Sequence, residues 1–96
     1  MRFKNKRYIT SGINARIPDV MQYAMWLMVD EFPEVDYLQI FELQKVEGGI
    51  RIKHTQEEPL YEKDMIVICE ADENFKEKVY VIDDETHSTM LLAEEY

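Results

Sequence analysis

One segment of the chain, residues 18–31, repeats its apolar residues with the period of an α-helix, whereas most later segments alternate apolar and polar residues. Apolar side chains recur at steps of three and four from Val20 to Phe32, which is helical spacing. Pro18 suits the first turn of a helix, and Pro33 disfavours helical geometry at the residue before it. We therefore predict a helix over residues 18–31.

The rest of the chain carries strand patterns separated by turn signals. Residues 36–57 alternate on both sides of Gly48-Gly49, which is typical of a β-hairpin with a glycine turn. Further strands are predicted at residues 6–11, 65–70, 78–83 and 88–93. The run at 65–70 has five consecutive apolar residues, so we predict a central strand that is covered on both faces.

Only one helical segment is available in this pattern, which excludes a parallel sheet built with crossover helices. We therefore predict an α+β fold in which one N-terminal helix packs on a curved antiparallel sheet of about five to six strands. A chain of 96 residues is the size of one folding unit. Residues 1–96 are accordingly predicted to form a single α+β domain.

The cysteine content and the apolar runs favour a cytoplasmic protein. Cys69 is the one cysteine, so no internal disulfide can form, and a reducing compartment is favoured. The longest apolar run, residues 24–29, is far shorter than a membrane span, and no leader pattern follows the basic N-terminus. We expect no membrane association, and we expect Cys69 to be a small buried core residue.

Charge is divided unevenly along the chain. Residues 1–16 hold five cations and no acid, whereas residues 17–96 hold six cations against twenty acids, a balance of −14. An acidic body repels phosphate backbones, so no direct binding of nucleic acid is expected.

The densest set of possible metal ligands is Asp83, Asp84, Glu85 and His87. This set lacks the alternating spacing and the glycine of a calcium loop, and adjacent strand residues point to opposite faces. His54, His87 and Cys69 lack the short spacings of zinc sites. We therefore predict no metal, no cofactor and no catalytic residue, and interpret the four residues as part of a turn.

The helix carries large apolar side chains on a second face. Tyr23, Trp26 and Leu27 lie away from the main apolar stripe, and aromatic side chains of this kind are enriched in protein interfaces. Two explanations remain open: a curved sheet wraps the helix on more than one side, or these three residues form a contact surface.

Several stretches resemble one small protein family. The run VYVIDD at residues 79–84, followed by STMLLAEEY at 88–96, is similar to the closing signature of a family of uncharacterised proteins (a domain of unknown function). RYIT at 7–10 and DYLQIFEL at 36–43 resemble its other stretches. That family occurs in low-GC Gram-positive bacteria and their mobile elements. The resemblance implies a cystatin-like α+β fold but no activity, since fold alone does not license a function.

Three hypotheses for function follow. The first is a non-catalytic interaction or assembly module that binds itself, as a homodimer, or another protein. The second is an acidic decoy whose carboxylates imitate DNA phosphates and occupy a host nucleic-acid-handling protein. The third is a small-ligand binder or enzyme that uses a cavity between helix and sheet. We favour the first.

Overall fold

The computed structural model of the chain describes residues 2–31 and 36–96. Within these ranges the elements in chain order are β1 (Lys6–Ile9), α1 (Ser11–Arg16), α2 (Asp19–Glu31), β2 (Leu38–Val46), β3 (Gly49–Gln56), β4 (Tyr61–Val67), β5 (Lys76–Asp83), β6 (His87–Leu92) and a 3-10 turn, Ala93–Glu95. The α+β class is confirmed. The prediction of one helix is wrong, because α1 precedes α2, and both helices follow the first strand.

All six strands join one open, mixed sheet in the order β1-β6-β5-β2-β3-β4. The last strand, β6, lies between β5 and β1 and runs parallel to β1, whereas the other neighbours are antiparallel. The number of strands agrees with the prediction, but the purely antiparallel sheet is wrong. The chain between β1 and β6 serves as the connection, so this parallel pair needs no dedicated crossover helix.

Helix α1 was not predicted, because Gly12 in its first turn resembles a strand breaker. Thr10 caps the helix: its hydroxyl oxygen accepts a hydrogen bond from the backbone N–H of Ile13 at 3.2 Å. Ile17 closes α1 by donating its backbone N–H to the carbonyl of Ile13, and its side chain is buried in the core. A residue that looks misplaced before Pro18 is thus the C-terminal cap of one helix and a core residue.

Helix α2 confirms the predicted helix to within one residue, ending at Glu31 as Pro33 indicated. Phe32 and Pro33 themselves lie outside the described residues. Three methionines (Met21, Met25 and Met28) are buried with Val29 against the sheet. No helix among residues 2–31 and 36–96 is long and apolar enough to cross a membrane.

The sheet has one covered face and one that we call the open face. Side chains on the covered face join the helices in a single core; they include Phe41, Leu43, Ile50, Ile52, Val79, Val81 and Met90. Their neighbours along each strand point the other way, because successive strand residues alternate between faces. The open face therefore carries Glu42 and Gln44 of β2, with the side chains that flank them on β3 and β5.

The predicted hairpin is confirmed as β2 and β3. Gly48 has a φ of +89°, a conformation that side chains other than glycine rarely adopt. Gly49 is required for a different reason: a Cβ there would lie 2.2 Å from the carbonyl oxygen of Val67 on β4. Each glycine of the pair thus has its own structural role.

Strand β4 corrects the interpretation of residues 65–70. It lies at the edge of the sheet rather than in the centre. Ile66 is 60% exposed and Ile68, just beyond the strand, is 89% exposed. Cys69 is half-buried, not buried. A continuous apolar run therefore does not mark a central strand here; Met65 and Val67 face the core while Ile66 faces outward.

Candidate interaction surfaces

The outer face of α2 is apolar and exposed along one stripe. Val20 is 46%, Tyr23 66% and Leu27 40% exposed. They lie three and four residues apart and so follow one line along the helix. We call these three residues the α2 stripe. The sheet packs against the opposite side of the helix, where the methionines are buried.

Trp26, the third residue predicted for this surface, has a different environment. Its indole ring packs against the edge of the core, and the guanidinium of Arg7 lies over it, with Cζ 4.6 Å from the ring centroid. Arg7 also donates hydrogen bonds to both carboxylate oxygens of Asp30 at the end of α2. These bonds lower the pKa of Asp30, against the effect of burial, and the charge of Lys4 adds to the decrease. Trp26 is therefore held by the fold, while Tyr23 and Leu27 remain exposed.

The basic N-terminal segment is used largely inside the molecule. Arg16 at the end of α1 contacts Glu77 of β5 and Glu94 of the 3-10 turn, each at 2.8 Å. Lys4 lies 3.5 Å from Asp30. The charge division seen in the sequence thus connects the N-terminal segment to the acidic body, so this segment is not an isolated basic arm.

The residues named as weak metal candidates separate into two groups. Asp83 is buried, and its carboxylate accepts hydrogen bonds from the backbone N–H of Phe3 (3.0 Å), the side chain of Asn5 (2.9 Å) and the backbone N–H of Glu85 (2.9 Å). Asp84 points instead towards His87, with a carboxylate oxygen 3.6 Å from Nε2. Within the described ranges, no three His, Cys, Asp or Glu side chains converge as metal ligands would.

Asp83 acts as a clasp for the N-terminal segment. Burial alone would raise its pKa, but the hydrogen bonds from Phe3, Asn5 and Glu85 outweigh burial and lower the pKa below its usual value. Phe3 is itself buried although its φ is +60°. The turn interpretation of this cluster therefore has a specific form, in which one carboxylate joins the start of the chain to the end of β5.

A buried polar network at one end of the core was not predicted. Gln39 Nε2 donates to Gln56 Oε1 (2.7 Å) and to the carbonyl of Asp36 (3.0 Å). Gln39 Oε1 is therefore an acceptor, and it lies 2.6 Å from Nε2 of the fully buried His54. This assigns the proton of His54 to Nε2. Its Nδ1 has no hydrogen-bond partner among the described residues.

His54 is held neutral by its surroundings. Its ring stacks on Phe41, with the centroids 4.3 Å apart, and Tyr61 meets it edge-on at 5.3 Å. Burial, together with the charge of Lys63, lowers the pKa of His54 to about 4. The sequence shows His54 as a polar residue on an otherwise apolar strand face, and that alternation is the signal that places it in the core.

A cavity of about 490 Å³ lies on the open face, over β2. Its charged and polar lining consists of Glu42, Gln44, Arg51, Lys53, Lys76, Glu77 and Lys78. The register places Glu42 between Lys53 and Lys78, and Gln44 between Arg51 and Lys76. The sequence contains the signal for this cluster: the pairs Arg51/Lys53 and Lys76/Lys78 each have a spacing of two, which puts both members on one face of a strand.

Comparison with solved structures finds a protein of the same fold. The structure described as "Crystal structure of the protein of unknown function from Enterococcus faecalis" superposes with a TM-score of 0.89, covering 100% of this chain and 96% of that one. The two sequences are 22% identical, so the likeness shows the fold alone. No curated protein matches this sequence.

The family resemblance of the sequence is confirmed. A family model matches residues 6–95, which include the strand β1, both helices and the closing STMLLAEE run. The model describes proteins without an assigned function. The chain belongs to the family described as "Staphylococcal protein of unknown function (DUF960)".

Proposed function

We propose that this protein is a non-catalytic interaction module that pairs with a second copy of itself through the α2 stripe. The observation that carries the proposal is the exposure of Val20, Tyr23 and Leu27 along one line of a helix whose opposite side is buried. Exposed apolar residues scattered singly need no explanation, but a continuous row is characteristic of a contact surface.

A second copy suits the stripe because the stripe is self-complementary. When two α2 helices pack antiparallel about a two-fold axis, Val20 of each lies opposite Leu27 of the other, and Tyr23 lies near the axis. The antiparallel arrangement also places the positive end of each helix dipole beside the negative end of the other. Two-fold dimers are the commonest symmetric assembly.

The size of the stripe sets the expected strength. α2 has 13 residues, and at 1.5 Å per residue it is roughly 20 Å long. A stable interface buries about 800 Å² on each partner, which is more than three side chains supply. We therefore expect a weak dimer that dissociates on dilution.

Sedimentation velocity over a range of concentrations tests the pairing. Tyr23→Ser and Leu27→Ser should each raise the dissociation constant by about tenfold or more. Leu60→Ser is the matched control, because Leu60 is 87% exposed outside α2. A wild type that stays monomeric at the highest concentrations, or a control that weakens association equally, would refute the proposal.

We extend the proposal to the remaining sequence predictions: one domain spanning residues 1–96, a cystatin-like arrangement and a cytoplasmic location. The packing of α2 across one face of the sheet supports the second, and the lone Cys69 supports the third. We do not extend it to the acidic decoy. Asp64, Lys53, Glu42 and Lys78 alternate in charge across the open face, where a decoy would present rows of carboxylates.

A further inference from the structure

We propose that the cavity on the open face binds a compact polyanion, a phosphate or polycarboxylate group carried by a small molecule. The first support is a concentration of positive charge. Four of the six cations in residues 17–96 line this one cavity, in a chain whose net charge is −9. They are Arg51, Lys53, Lys76 and Lys78.

The strand geometry aims these cations at one point. Arg51 and Lys53 lie on β3 and Lys76 and Lys78 on β5, with β2 between them. Neighbouring strands are about 4.8 Å apart, so the two rows of cations are separated by roughly 10 Å. Lysine side chains are long and flexible, so they can close from both sides on a group above Gln44.

Cross-strand ion pairs account for the β3 cations but not for those on β5. Arg51 donates two hydrogen bonds to Asp64 (3.2 and 3.1 Å), and Lys53 lies 3.9 Å from Glu62. Lys76 and Lys78 have no ion pair with any carboxylate of the described residues, although Lys78 lies 5.8 Å from the centroid of the Tyr80 ring.

The remaining charge balance of the cavity is positive. Glu77 is paired with Arg16, and Arg51 with Asp64. Lys53, Lys76 and Lys78 are then opposed by Glu42 alone, which leaves a surplus suited to a dianion. The volume of about 490 Å³ is within the range of small-molecule pockets, roughly 300–1,000 Å³. The cavity faces away from α2, so this inference does not depend on the dimer.

Isothermal titration of the full chain at low salt tests the proposal, with inorganic pyrophosphate and citrate as the two probes. Binding of either, with a dissociation constant below about 1 mM, supports it, and the tighter probe identifies the group as phosphate or carboxylate. Lys78→Gln should weaken that binding by about tenfold. Lys63→Gln is the matched control, because it removes the same charge from an exposed residue on the other face of the sheet.

Three results would overturn the proposal. They are no heat with either probe at about 10 mM, equal weakening by Lys78→Gln and Lys63→Gln, and binding of a single-stranded oligonucleotide with neither small anion bound. Far-UV circular dichroism of each variant checks that the sheet is intact.

Discussion

The guanidinium of Arg7 stacks on the indole ring of Trp26, which joins β1 to the outer side of α2. Arg7 extends the connection through its hydrogen bonds to Asp30 and to the backbone carbonyl of Phe3. One side chain therefore ties the N-terminal segment, an edge strand and the helix together. The sequence pattern that grouped Trp26 with Tyr23 and Leu27 reports only that all three lie off the main apolar stripe.

Because Trp26 belongs to the fold, we expect Trp26→Ala to reduce stability without abolishing association. The loss should be about 2 kcal/mol, from partial burial of a large aromatic side chain and its cation–π contact. Trp26 is the one tryptophan, so unfolding must be followed by circular dichroism rather than by its fluorescence. An unchanged stability together with a shift to monomer would return Trp26 to the interface.

His54 predicts a loss of stability in mild acid. Its folded pKa of about 4 lies below the usual value of 6.5, so the unfolded chain takes up the proton first as the pH falls. The stabilisation is complete above about pH 6.5, and it is lost as the pH falls through that value towards 4. The difference corresponds to about 3 kcal/mol.

Urea unfolding at a series of pH values measures this effect. His54→Phe keeps an aromatic ring against Phe41 and removes the titrating group, so its stability should change much less between pH 6.5 and 4. The variant also removes the bond to Gln39, so the comparison concerns the slope with pH and not the absolute stability. Equal slopes for wild type and variant would contradict the assignment.

Asp83 predicts a structural rather than a metal-binding role for its cluster. Asp83→Asn removes one acceptor from three donors and should cost about 1–3 kcal/mol. The lowered pKa makes the contribution of Asp83 present above the usual carboxylate range and lost as the pH falls through it. EDTA and millimolar Mg²⁺ should leave the melting temperature unchanged. A rise with Mg²⁺ that Asp84→Asn abolishes would contradict this role.

Cys69 provides a test of the edge position of β4. The half-buried side chain lies just beyond the strand, and its sulfur is 3.5 Å from the carbonyl oxygen of Glu70. We expect a thiol reagent to label it in the native protein, since access controls the reaction. A thiol that reacts only in denaturant would instead support the central strand that the sequence pattern predicted.

The successful sequence predictions rest on local signals. Pro18 and Pro33 delimit α2, and the Gly48-Gly49 pair marks the hairpin because both glycines are needed where they stand. The failures concern non-local partners. α1 depends on the Thr10 cap and on core space for Ile13 and Ile17, and a six-residue helix has too few turns to show a period.

The position of a strand in the sheet is equally hidden from the sequence. Residues 65–68 are apolar on both faces, which is typical of a central strand, yet β4 has one neighbour. The parallel pairing of β1 with β6 joins the two ends of the chain, a contact that no local pattern reports. For the cavity, the spacing of Lys76 and Lys78 was visible, but the convergence with β3 requires the strand order.

Disulfide trapping tests the central claim, the self-association through α2, most directly. Tyr23→Cys in a Cys69→Ser background places one thiol near the proposed two-fold axis, and a disulfide forms only when the two Cα atoms come within about 7 Å. Leu60→Cys in the same background is the control for random collision, since Leu60 is 87% exposed away from α2. We predict that mild oxidation gives a covalent dimer of the Tyr23→Cys protein, much faster than of the Leu60→Cys protein. Equal rates for the two proteins would contradict the claim.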